Sequence, residues 1–125
     1  MSLFETREYW PFPVLLPEQR TEHHKRVIDF LDTAFREGFS PCVFNSSNYS
    51  ATAPSGRTGD ILHRGANRYW EVILGDVGGA ITSFFVDGFA VAGQALLQWL
   101  RGTEAENVKM QCNADIVSKP GTRGW

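Results

Sequence analysis

Between Pro17 and Gly38, apolar residues recur at helical spacing. Val27, Ile28, Leu31, Ala34 and Phe35 form one stripe, and Arg20, Lys25, Asp29, Asp32 and Arg36 fall mostly on the other side. Pro17 suits a first turn, Glu18 and Glu22 suit the positive end of the helix dipole, and Gly38 suits the residue just past the end. The pattern predicts an amphipathic surface helix. Cys42-Val43-Phe44 then reads as a short strand. Asp60 to Arg64 and Arg68 to Leu74 read as a strand pair turned at Gly65-Ala66-Asn67, with Trp70, Val72 and Leu74 on one face and Tyr69, Glu71 and Ile73 on the other. Gly75 to Gly79 reads as a glycine-rich turn. Ala80 to Val86 is apolar on both faces, which predicts a central strand. Asp87 is a candidate N-cap for a second, nearly all-apolar helix that ends at Gly102, with Gln94, Gln98 and Arg101 as its polar stripe. Val108, Met110, Cys112, Ala114 and Ile116 alternate with polar residues, which predicts a last, half-buried strand.

Tight turns favour antiparallel pairing. The expected fold is α+β, a two-layer domain with a mainly antiparallel sheet of four to five strands, two helices on one face, and element order α-β-β-β-β-α-β. Residues 1–125 read as a single domain, without repeat or linker. Two segments stand apart. Residues 1–16 hold Phe4, Tyr9, Trp10 and Phe12 with Pro11 and Pro13, which forbid regular helix and favour an extended arm. Residues 45–59 are dominated by Ser, Thr, Asn and Gly and read as a long polar loop, of the kind that is usually functional or disordered.

Composition narrows the function classes. Charged residues make up 21% of the chain and hydrophobic residues 42%, ordinary globular values that exclude general disorder. The net charge of -2 disfavours nucleic acid or an anionic membrane as the main partner. Charge is nonetheless segregated. Residues 41–70 carry Arg57, Arg64 and Arg68 against Asp60, whereas residues 71–107 carry Glu71, Asp76, Asp87, Glu104 and Glu106 against Arg101. Protein partners with complementary patches use such segregation. The apolar run Ala80–Leu100 contains Asp87, which would cost roughly 2.5–3.5 kcal/mol at a bilayer centre. A strand followed by a buried helix explains that run without the cost. No export signal is read in the first residues, so the expected location is cytoplasmic, with no membrane association. Two cysteines 70 residues apart, Cys42 and Cys112, read as reduced thiols, at least one of them buried.

Candidate chemistry is thin. Gly75–Gly79 lacks dinucleotide-binding spacing. Cys42 with His63 and Asp60 or Asp76 is near what chance supplies, and Glu71 beside Trp70 reads as an outward residue paired with Arg64 rather than a general acid. Adjacent His23 and His24 point about 100° apart on a helix, cannot chelate one ion, and read as solvent-exposed. No catalytic residue, metal ligand or cofactor is therefore assigned, and the reading leans away from an enzyme. The preferred expectation is a non-enzymatic, cytoplasmic protein-binding domain of accessory, adaptor or, by analogy of size and architecture, immunity type. Its partner would be another protein or a second copy, met through Tyr9, Trp10, Phe12 and Arg68, since aromatic and Arg side chains dominate protein hot spots. The alternative is a small enzyme or an anion- or ligand-binding domain. Its pocket would lie under the 45–59 loop and use Arg57, His63, Arg64 and Tyr69 toward a small molecule.

Overall fold

The computed structural model describes residues 22–45, 48–63, 69–112 and 116–117. Its elements are α1 (Glu22–Arg36), β1 (Ser40–Asn45), β2 (Asn48–Thr52), β3 (Thr58–His63), β4 (Tyr69–Gly75), β5 (Ile81–Asp87), α2 (Phe89–Leu100), α3 (Ala105–Gln111) and β6 (Ile116–Val117). All strand pairs are antiparallel, and the spatial order β1-β2-β3-β4-β5-β6 follows the chain. The fold is α+β, as the pattern predicts.

Alternation decides which face is covered. Tyr49 pairs with Ile61, Ile61 with Val72 and Val72 with Phe84, so one cross-strand row is wholly apolar. Ala51, Gly59 and Leu74 form the next row, and Trp70 with Val86 another. These residues are buried under α2, which contributes Phe89, Ala92, Ala95, Leu96 and Trp99 to the same core. Gly59 is what lets α2 come so close, because a Cβ there would overlap Leu96 Cδ1. From α1, Val27, Ile28, Phe30, Leu31 and Ala34 join this core. Phe35, expected in the stripe, is instead exposed, and the buried ring is Phe30.

α1 and α2 run parallel. His23 meets Phe89 at their starts, and at their ends Arg101 donates from Nε to Glu37 Oε1 at 2.7 Å and from a terminal nitrogen to Oε2. Each helix end is closed in the same way. Gly38 (φ 86°) follows α1 while Phe39 N–H donates to Ala34 O. Gly102 (φ 115°) follows α2 while Thr103 N–H donates to Gln98 O. A residue with a Cβ is strained at such φ, which is why glycine ends both helices.

Several expectations are corrected. Within 45–59, Asn45 ends β1, Asn48–Thr52 form β2, Thr58 and Gly59 open β3, and Ala53–Arg57 is a tight turn closed by Ala53 N–H to Arg57 O and Gly56 N–H to Ala53 O. Ala105–Gln111 is a helix rather than a strand, and only Ile116–Val117 pairs with β5. Among the described residues the sheet thus has six strands, the last of two residues, and there are three helices. Asp87 ends β5, and the N-cap position of α2 is Gly88, with no side-chain cap. Nor is β5 buried on both sides, for Ile81 and Ser83 are exposed. The Gly75–Gly79 segment is a hairpin turn, as expected, with Asp76 Oδ1 accepting from Val77 N–H at 2.7 Å. No described helix is long and apolar enough to cross a membrane.

Candidate interaction surface

Arg57 is committed to the fold. Its guanidinium lies over the Trp99 ring, 3.9 Å from the centroid, and donates to Trp99 O at 2.8 Å and Thr103 O at 2.9 Å. Trp99 Nε1–H returns a bond to Thr58 O at 3.0 Å. A cation on the last carbonyls of a helix complements its dipole, so Arg57 acts as a C-terminal clamp on α2.

His63 lies at the opposite end of β3, and it faces the helices. It pairs with Trp70, their rings 4.8 Å apart. Tyr69, the next residue along β4, falls on the other face, and Arg64 lies outside the described residues. The structure therefore does not bring Arg57, His63 and Tyr69 together. Arg68, Tyr9, Trp10 and Phe12 also lie outside the described residues.

What His63 does join is an aromatic cluster that sequence reasoning missed. His23 stacks on Trp70 at 5.7 Å, and Phe89 meets His23, Tyr49 and Trp70 edge-on at 5.5, 5.5 and 5.1 Å. The expectation of two solvent-exposed histidines is corrected: His24 is 7% exposed and His23 half-buried. Burial holds His23 below the usual histidine pKa, and His63, His24 and Arg26 add to the effect. Burial also raises the Tyr49 hydroxyl well above the usual tyrosine range. The signal was available, since His23 precedes Val27 by four residues and Phe30 by seven, on the inward side of α1.

The other face of the sheet is not covered by any described helix. One cross-strand row on it runs Asn48, Leu62, Glu71, Phe85, Val117, and the next runs Cys42, Ser50, Asp60, Ile73, Ser83. Leu62, Ile73 and Phe85 are half-buried. Toward opposite corners, Phe44 of β1 is 62% exposed and Ile81 of β5 is 70% exposed. Asp60 is partly desolvated, which raises its pKa. Asn48 Oδ1 is shut off from solvent without a hydrogen-bond donor. Cys42 is an exposed free thiol and Cys112 a buried one.

Among the described residues, grooves lie on the helical layer. One of about 230 Å³ lies between α1 and α2, floored by Phe30, Phe89 and Leu97. Another, of about 380 Å³, lies between α2 and α3 beside Cys112. Neither lies under residues 45–59, and neither gathers the groups that acid–base or nucleophilic chemistry requires. Among the described residues, no three His, Cys, Asp or Glu side chains could hold one metal ion. No family model matches this chain, and neither a curated protein nor a solved structure matches it.

Proposed function

We propose that this domain is a non-enzymatic protein-binding module whose contact surface is the outer face of the sheet. One observation carries the reading: all described helices pack on one side, and the other side presents Phe44 and Ile81, both mostly exposed, with half-buried Leu62 and Ile73 between them. Large apolar side chains gathered on one open face mark an interaction site more often than scattered ones do. Asp60 lies on that face beside Ile73, so a partner surface that is apolar with a basic position opposite Asp60 fits it best.

The test uses Phe44→Glu with Ile81→Glu in the full chain. Both side chains are already mostly in water, so the variant should keep the wild-type melting temperature. Wild-type protein should retain specific partners from an extract of its source, or self-associate in sedimentation, and the variant should do neither. Identical partner sets and identical sedimentation for both proteins would overturn the proposal.

A further inference from the structure

The groove between α1 and α2 combines an apolar floor with charges of both signs. We propose that it binds a small zwitterion with an apolar body, of the class of a free apolar α-amino acid. The carboxylate would meet Arg26, the ammonium group Asp29, and the apolar body the floor of Phe30, Phe89 and Leu97.

Helix geometry builds the slot. Arg26, Asp29 and Thr33 recur at i, i+3 and i+7 along α1, so they form one rail. Ala90, Gln94, Leu97 and Arg101 recur at i, i+4, i+7 and i+11 along α2 and its C-cap, and form the other. Side chains tie the two helices together at both ends. His23 meets Phe89 edge-on at 5.5 Å at one end, and Arg101 Nε donates to Glu37 Oε1 at 2.7 Å at the other. Gly93 stands buried in the middle of α2, where glycine weakens a helix. A Cβ there would come within 3.2 Å of Phe30 Cδ1 and 3.7 Å of Phe89 Cε1, so the Phe30 ring lies against bare backbone. The space left is about 230 Å³, the liquid volume of roughly eight water molecules. That suits a ligand of amino-acid size.

Charge selects the ligand class. Arg26 and Asp29 are one helical turn apart, about 5–6 Å between Cβ atoms. Neither enters an ion pair or a side-chain hydrogen bond among the described residues, whereas Lys25 pairs with Glu22 at 3.6 Å and Arg101 with Glu37. A planar guanidinium takes a carboxylate through two parallel N–H donors. A simple anion here meets repulsion from Asp29, and a simple cation meets repulsion from Arg26. A molecule with both charges on one carbon satisfies both. Thr33 and Gln94 add a hydroxyl and an amide to the lining. An apolar floor with a few polar groups is the usual form of a small-molecule site. The groove lies on the helical layer, away from the outer face of the sheet, so it stands independently of the protein-binding reading.

The test titrates the full, isotope-labelled chain with L-phenylalanine or L-leucine to about 10 mM, which nearly saturates any site tighter than about 1 mM. Amide shifts at Arg26, Asp29, Thr33 and Gln94 should follow saturating curves while those of β1 stay in place. N-acetyl-L-phenylalanine lacks the ammonium charge and phenethylamine lacks the carboxylate, and each should bind weaker by about tenfold or more. Arg26 and Asp29 are exposed, so Arg26→Gln and Asp29→Asn should keep the fold. Arg26→Gln should weaken phenylalanine and its acetylated form but not phenethylamine. Asp29→Asn should weaken phenylalanine and phenethylamine but not the acetylated form. Absence of saturable shifts with both amino acids would overturn the proposal. So would equal binding of the three phenyl ligands, the mark of an apolar crevice without charge recognition. Equal losses for every ligand in both variants would overturn it as well.

Discussion

Arg57 shows how one side chain can carry a turn, a helix end and an indole together. It donates to Trp99 O in the last turn of α2 and to Thr103 O just past its end, and it covers Trp99, whose indole N–H holds Thr58 O at the start of β3. Hydrogen bonds from a charged donor and a partly buried cation–π contact each contribute on the order of 1–2 kcal/mol. Arg57→Ala should therefore cost about 2–3 kcal/mol in urea unfolding, and Arg57→Lys should recover only part, since a point charge lacks the planar fork. His23 gives a pH prediction of definite sign. In the unfolded chain it takes a proton near about pH 6.5, whereas burial in the fold lowers its pKa. As pH falls through about 6.5 the unfolded state binds more protons, so His23 contributes stability that is present above that value and lost below it. His23→Phe keeps a ring against Trp70 and Phe89 and has no proton to take. Its unfolding free energy should fall less than that of wild type between about pH 7.5 and 5.5. An identical pH dependence would show that His23 is not linked to folding.

At the scale of elements, the pattern of apolar positions located α1, β3, β4, β5 and α2 because each buries one face at its own period. The inward set Trp70, Val72 and Leu74 was readable directly. β2 was not, because its outward positions are Asn48, Ser50 and Thr52, and one of its inward residues is only Ala51. Polar composition hid a period-two pattern that Tyr49, Ala51 and Ala53 carry. The segment after Gly102 was ambiguous in another way. Val108, Met110 and Cys112 satisfy a strand, while Ala105, Val108 and Cys112 satisfy a helix. The helix prevails, burying Val108 and Cys112 against the core and leaving Met110 72% exposed. This choice is testable by substitution. Met110→Lys should leave stability within about 0.5 kcal/mol, as exposed positions do. Val108→Lys, which buries an unpaired charge, should cost more than about 3 kcal/mol or prevent folding. Comparable losses at both sites in thermal unfolding would favour the strand.

For the whole molecule, the candidate site was less legible than the fold. Of the residues read as a ligand set, Arg57, His63 and Tyr69 are close in sequence but fall at different ends and faces of the sheet, and Arg64 lies outside the described residues. Their separation follows from strand length and alternation, and a residue list omits both. The outer face was missed for a related reason, since its members Phe44, Leu62, Ile73, Ile81 and Phe85 come from four strands and meet only once the register is known. The same topology sets where the molecule should resist opening. α2 packs on β3, β4 and β5 at its centre. Among the described residues β1 is an edge strand whose ladder has one neighbour, with Pro41 lacking an amide proton. Local stability follows buried apolar contact, so the slowest amide exchange should lie in β3, β4 and the middle of α2. The amides of β1 should exchange at least tenfold faster, a difference of about 1.4 kcal/mol in local opening energy. Native-state hydrogen exchange resolved by residue checks this. Equal protection of β1 and β4 would mean that the free edge of β1 is covered in solution, and would move the search for the partner from the outer face to that edge.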